Sequence, residues 1–295
     1  MFFVIQKEKN NINSLEMENN IVLDLLKNSL IHKYTFMSLE DFYFKEVDEN
    51  GNLLGKFLLG KDNFPNYLID AIPIGTLEFV STFLNIFHQI SNLNPIEIPS
   101  ILRTDEFLKR KYKIVEAKDL PREGNWFIKD VSKLKSFSTN GYGFQYLDLD
   151  NILKTPQEIE TIKNKKSNYN SLLLDNTHLY QVSEKVEVLS EYRVYFINGK
   201  IINVSHYNGN PCLFPDISLI DKANLLYSTQ KDYPKSYSLD VMITTRGTSI
   251  IEIHPFACVG LYSNLWGSSL LYAYRDGIDY YINWNTKLEE DNDND

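Results

Sequence analysis

Asp240, Glu252 and His254 are the residues whose types and spacing could hold a divalent cation. They sit in two apolar, strand-like stretches, 237–244 and 248–254, on either side of Thr245-Arg246-Gly247. That tripeptide reads as a three-residue hairpin turn, with Gly247 available for a positive φ. With Arg246 at its centre, residues whose numbers sum to 492 oppose each other, which sets Asp240 against Glu252. Strand alternation then gives Glu252 and His254 one face, and Ile251 and Ile253 the other. Opposed carboxylates repel, and a cation between them removes the repulsion. Oxygen ligands of this kind suit Mg²⁺, which is commonly held by one or two carboxylates together with substrate phosphates. Acidic residues on a solvated strand face are the simpler alternative. Against it, Ile250, Ile251 and Ile253 make the strand unusually apolar, and a glutamate inside such a run needs a partner.

Further cation- and nucleotide-handling candidates lie upstream. Lys129 ends the apolar run Trp126-Phe127-Ile128, and Lys135 opens a segment rich in Ser, Thr and Gly that extends to Gly143. A lysine at the end of a buried strand needs an anion, which a phosphate supplies. The loop's N–H groups could close over phosphates, although the Gly-Lys-Ser/Thr order of a Walker A loop is absent. A polar surface loop is the alternative. Glu184-Lys185-Val186 is followed by Glu191. An extended hinge can read an adenine edge through its main chain, and an acidic side chain can accept from both ribose hydroxyls. A solvated strand edge would carry the same residues. Arg193, on the same strand face as Glu191, could neutralise charge on a transferring phosphoryl group.

The elements that must position these groups are strand-rich. Stretches 192–197 and 201–207 flank Asn198-Gly199, a strong hairpin signal. After Pro73, Thr76 reads as an N-cap for a helix whose core face is Phe79, Val80, Phe83, Leu84 and Phe87. Asn94-Pro95 and Pro99 punctuate the chain. Hairpins with intervening helices give an α+β class. The expected organisation is an N-terminal region over 1–95, a main domain over 96–285, and an acidic disordered tail over 286–295.

Composition bounds the function class. A chain of 295 residues with 43% hydrophobic and 13% aromatic residues can fill a substantial core. A net charge of −9 argues against nucleic acid as the partner. Two distant cysteines, Cys212 and Cys258, suggest neither a zinc site nor a disulfide framework, and suit a reducing compartment. The apolar run at Phe2-Phe3-Val4-Ile5 is too short for a signal peptide, and nothing approaches the ~20 apolar residues of a membrane span. The expectation is a soluble cytoplasmic protein with no membrane partner.

These signals occur in an order that resembles the ATP-grasp superfamily: a strand lysine, a mobile loop, a Glu-Lys hinge, a ribose-binding Glu, and a late metal set of Asp and Glu-x-Asn. Here they correspond to Lys129, the loop around Lys135, Glu184-Lys185-Val186, Glu191, and Asp240 with Glu252-Ile253-His254. More narrowly, the chain resembles the clade named for one arginine and two lysines. The phrases that carry this are Pro73 through Val80, Phe127-Ile128-Lys129 with Lys135-Ser136-Phe137, Ser190 through Val194, Tyr207-Asn208-Gly209, and Gly260-Leu261-Tyr262. Lys129, Lys135 and Arg193 fit the hallmark three, with Arg110 the alternative arginine. Two positions depart from the pattern: Asp130 replaces a proline, and His254 replaces the metal-binding asparagine. An imidazole suits Mn²⁺ or Zn²⁺ better than Mg²⁺.

The resemblance implies an ATP-grasp fold, two α+β subdomains around a nucleotide, preceded by an N-terminal α/β pre-ATP-grasp region. It implies ATP and Mg²⁺, with Mn²⁺ the alternative, and a ligase that joins a carboxylate to an amine through an acyl phosphate. By analogy with the clade the substrate is a peptide or protein. Asp240, Glu252 and His254 would hold metal, Lys129 and Lys135 phosphate, and Glu184, Lys185, Val186 and Glu191 the nucleoside. Arg193 and Lys135 would serve the transfer itself. Tyr207, Asn208, Arg246 and Tyr262 are pocket candidates. The alternatives are an ATP-binding protein of the same fold without ligation, and a small-molecule kinase.

Overall fold

The computed structural model describes residues 1–7, 17–29, 31–90, 93, 97–132, 144–146, 148–165, 173–231, 233–263 and 267–292. The N-terminal part holds strands β1 (Phe2–Gln6), β2 (Lys33–Met37), β3 (Tyr43–Val47), β4 (Leu53–Leu58) and β5 (Ile72–Ile74), with helices α1 (Met17–Lys27) and α2 (Leu77–His88). β2, β1 and β5 form a parallel sheet in that order, and β3 and β4 pair as a separate hairpin. Thr76 caps α2 as the sequence predicts, its hydroxyl accepting from the Phe79 N–H at 3.3 Å. Phe79, Val80, Phe83, Leu84 and Phe87 are all buried.

The middle part contains β6 (Tyr112–Glu116), β7 (Glu123–Asp130), β8 (Phe144–Tyr146), β9 (Leu153–Lys154), β10 (Leu174–Asp175) and β11 (Leu179–Glu184), with α3 (Asp105–Leu108), α4 (Leu149–Ile152) and α5 (Pro156–Lys165). β6, β11, β7 and β8 make an antiparallel sheet. A second antiparallel sheet has the order β13-β12-β14-β15, from β12 (Ser190–Ile197), β13 (Lys200–Gly209), β14 (Ser236–Thr244) and β15 (Gly247–Pro255). Helix α6 (Ile217–Tyr227) follows β13, and α7 (Ser269–Asn292) follows β15.

Asn198 and Gly199 both take positive φ, 50° and 72°, which closes the β12–β13 hairpin as the dipeptide predicts. The β14–β15 turn differs from expectation. Thr244 pairs with Gly247, so the turn is Thr245-Arg246 and not three residues. Asp240 pairs with Glu252 and Val241 with Ile250, leaving Ile251 as a bulge. The shorter turn and the bulge offset each other, so the expected Asp240–Glu252 pairing survives. Ile251 does not share the buried face with Ile253; Ile250 does.

One face of this sheet, including Tyr192, Val194, Leu239, Val241, Ile250 and Ile253, packs against α3 and α6. The opposite face carries the polar candidates and, at one end, Tyr195 and Ile197, which enter the N-terminal core. Helix α7 completes that core through Leu270, Leu271, Tyr274, Ile278 and Tyr281. The N-terminal sheet, α1, α2 and the last helix therefore share one core. That helix runs to Asn292. Among the described residues no helix is long and apolar enough to cross a membrane.

Candidate metal and nucleotide site

The polar face of the β13-β12-β14-β15 sheet is built by alternation. Arg193 on β12 lies in register with Asp240 on β14, and Asp240 with Glu252 on β15. The bulge at Ile251 re-aims the strand so that Glu252 joins this face while Ile250 and Ile253 both remain in the core. Ligand atoms of Asp240, Glu252 and His254 lie within 4.8 Å of one another.

Each carboxylate already has a cationic partner. Arg193 holds Asp240 in a two-pronged ion pair, Nε to Oδ1 and Nη2 to Oδ2, both at 2.7 Å. Its Nη1 also donates to the Gly260 carbonyl at 3.3 Å. Lys129, from the other sheet, pairs with Glu252 Oε2, and His254 Nε2 meets Glu252 Oε1 at 2.8 Å. The site thus lies between the two sheets, with β7 contributing the lysine. The repulsion expected between the opposed carboxylates is relieved by these protein cations, so the pairing alone does not demand a metal.

The electrostatics follow from this arrangement. Burial would raise the Glu252 carboxyl, but the His254 ring and the Lys129 ammonium outweigh it and hold it well below the usual carboxylate range. Burial works against the Arg193 charge, and the Asp240 carboxylate more than restores it. Burial, reinforced by Asp240 and Glu191, pushes the Tyr207 phenol upward, so it stays a protonated donor at neutral pH.

An aromatic wall closes one side. Tyr207 and Tyr262 stack with centroids 5.1 Å apart, and the Arg193 guanidinium lies 5.1 Å from the Tyr262 ring centre. Tyr195 supports the wall from below: its hydroxyl donates to Gly260 O at 2.7 Å and accepts from the Tyr262 N–H at 3.0 Å. Tyr195 gave no signal in the sequence, because a tyrosine in an apolar strand reads as core.

The other candidates are placed as follows. Glu191 stands on β12 and accepts from Asn208 Nδ2 at 2.9 Å. Glu184 ends β11, but its carboxylate is taken by Arg246, at 2.9 and 2.8 Å, and by the Lys111 N–H. Arg246 therefore clips the β14–β15 turn to the end of β11, and it does not line the Asp240 cluster. The Lys185 N–H donates to the Asn125 carbonyl at 3.1 Å, and Val186 is half-buried in the segment that leads to β12. Lys135 lies outside the described residues. Arg110, the alternative arginine, is buried and donates to Ser249 Oγ and to the carbonyls of Leu108 and Ile250, which ties α3 to β15. It acts as a structural tie.

The donor set fits a divalent cation. Two carboxylates retain lone pairs beyond those used by Arg193 and Lys129, and a nearby imidazole can add a nitrogen. The two carboxylates suit Mg²⁺ or Mn²⁺, and the imidazole tips the set away from Mg²⁺ and toward Mn²⁺.

Comparison with known proteins places the chain. No curated protein sequence matches it. Among solved structures it is similar to a D-alanine–D-alanine ligase from Bacillus anthracis complexed with ATP, at 13% identity, covering 99% of each chain, with a TM-score of 0.47. It is similar also to the D-cycloserine synthetase DcsG, at 7% identity over 95% of this chain and 100% of that one, with a TM-score of 0.49. A third is the macrocyclase MdnC from Microcystis aeruginosa MRC, bound with precursor peptide MdnA, at 11% identity over 92% and 98%, with a TM-score of 0.44. Likenesses of this size carry no argument about activity. The weight rests on a sequence match over residues 107–265, more than half of the chain, to the ATP-grasp domain of family 2 in the clade named for one arginine and two lysines. That stretch contains Lys129, Glu184, Glu191, Arg193, Asp240, Glu252 and His254. The chain has the ATP-grasp fold and belongs to family 2 of that clade.

Proposed function

We propose that the protein is an ATP-dependent carboxylate–amine ligase that acts on a peptide or protein substrate. The observation that carries this reading is the convergence of Asp240, Glu252 and His254 between Lys129 and Arg193, inside the family-matched stretch. A substrate carboxylate oxygen attacks the γ-phosphorus of ATP, forming an acyl phosphate and releasing ADP. An amine nitrogen then attacks the acyl carbon, the carbon–oxygen bond to phosphate breaks, and the nitrogen gives up a proton.

Asp240, Glu252 and His254 would hold a divalent cation, which would supply neutralisation of phosphate charge. Lys129 turns from Glu252 to phosphate oxygens, and Lys135 adds a second phosphate contact. Arg193 orients Asp240 through its two-pronged contact, and its remaining N–H groups face charge that develops on the transferred phosphoryl group. Glu191 takes the ribose. Because Arg246 holds the Glu184 carboxylate, reading of the adenine edge falls to the main chain around Lys185 and Val186.

The test is mass spectrometry of reactions containing ATP, metal, and a pool of amino acids and peptides. The expected outcome is ADP with a product lighter than its two precursors by one water. Lys129→Ala and Glu252→Gln should each slow ADP formation by on the order of 10²–10³. Wild-type turnover in both variants would refute the assignment. A phosphorylated product would identify a small-molecule kinase, and bound ATP without ADP a binding protein. His254, where the superfamily has Asn, is the feature that favours the latter as the second reading.

A further inference from the structure

Ser238 lies on β14 two residues before Asp240 and on the same face of the sheet. It is completely buried, and its Oγ has no hydrogen-bond partner among the described residues. This sets it apart from Ser236, an equally buried serine on the same face, whose hydroxyl donates to Asp276 Oδ2 at 2.8 Å. Buried polar groups are nearly always paired, and an orphan among them points to a missing partner. In the sheet, Ser238 is flanked by Tyr195 on β12 and by His254 on β15. The Tyr195 hydroxyl is already engaged at Gly260 and Tyr262. His254 is directly opposite, and opposed strand residues have Cβ atoms about 4.5–5.5 Å apart, a span that a serine hydroxyl and an imidazole nitrogen can bridge.

We propose that Ser238 is a positioning residue for His254 in the metal site. With His254 turned toward a divalent cation, the ring N–H facing away from the cation donates to Ser238 Oγ. That bond fixes the tautomer and the plane of the imidazole. The role would be specific to this chain's departure from the superfamily: an imidazole ligand has a second nitrogen that needs a partner, and the small buried serine opposite supplies one. The inference rests on the reading of Asp240, Glu252 and His254 as a metal site.

The test is titration of the full-length protein with Mn²⁺ alone, followed by electron paramagnetic resonance, with thermal unfolding of the metal-free variants recorded alongside. Wild type should bind Mn²⁺, and Glu252→Gln should abolish that binding. Ser238→Ala should weaken Mn²⁺ by about 10-fold, the low end of what losing an outer partner of a histidine ligand costs. Ser238→Cys, of similar size with a weakly bonding sulfur, should weaken it likewise. The metal-free Ser238→Ala protein should melt no lower than wild type, because its hydroxyl has nothing to lose. In a His254→Ala background, Ser238→Ala should add no further loss. Wild-type affinity in Ser238→Ala and Ser238→Cys, an equal loss in both backgrounds, or a lowered melting temperature would each overturn the role while leaving the metal site standing. Absence of Mn²⁺ binding that depends on Glu252 would refute the metal site and the inference with it.

Discussion

Arg193 and Asp240 form a two-pronged ion pair across β12 and β14, both contacts at 2.7 Å, with side chains only 11% and 3% exposed. Little water reaches the pair, so removing one partner leaves the other as an uncompensated buried charge. Arg193→Ala is therefore expected to lower the unfolding free energy by about 3–5 kcal/mol. Arg193→Lys keeps the charge but loses the planar fork, and should fall between the two. Urea denaturation measures both. A loss under about 1 kcal/mol for the alanine variant, the range of exposed pairs, would contradict the buried character of this one.

Replacing His254 with Asn removes the imidazole and restores the side-chain type that the superfamily carries. Oxygen donors suit Mg²⁺, and nitrogen shifts preference toward Mn²⁺. The variant should show a higher ratio of Mg²⁺- to Mn²⁺-supported ADP formation than wild type. An unchanged ratio would mean that His254 does not reach the metal.

Glu184 links pH to stability. Its hydrogen bonds to Arg246, against a smaller opposing effect of burial, lower its carboxyl to about 2. A carboxyl depressed in the folded state stabilises the protein above its unfolded pKa of about 4.3, and the benefit is lost as pH falls toward the folded value. Between pH 4.5 and 2, wild type should lose more stability than Glu184→Gln. Thermal melts across that window test the sign. Parallel curves for the two proteins would show that the Arg246 clip contributes nothing.

Gly277 on α7 packs directly against the backbone of Phe256 and Ala257, just past the end of β15. A Cβ there would overlap the carbonyl group of Phe256 and crowd the Ala257 nitrogen, all backbone atoms that cannot swing aside. Gly277→Ala should cost about 1–3 kcal/mol or more, despite the better helix propensity of alanine. Chemical denaturation would detect this, and a neutral or stabilising result would mean that α7 can slide away from Phe256.

Much of this protein is fixed by local chemistry. The Asn198-Gly199 hairpin follows from two residues that accept positive φ, and the Thr76-capped helix from one hydroxyl and an apolar stripe of period 3.6. The order of Lys129, Glu184, Glu191, Arg193, Asp240 and Glu252 carries the family. Choices of partner were not legible. Lys129 and Glu252 are 123 residues apart, and Arg246 and Glu184 are 62 apart. Any lysine or arginine could satisfy either carboxylate as far as sequence is concerned. The tertiary structure decides, because only packing brings one particular cation within reach. The same holds for the bulge at Ile251, where two isoleucines compete for one core position and the fit of the sheet against α3 and α6 selects Ile250. It holds too for α7, whose apolar residues do not say which sheet they cover. Sequence determined what each segment can form, since that depends on neighbours along the chain. The three-dimensional packing determined which charges meet, since that depends on neighbours in space.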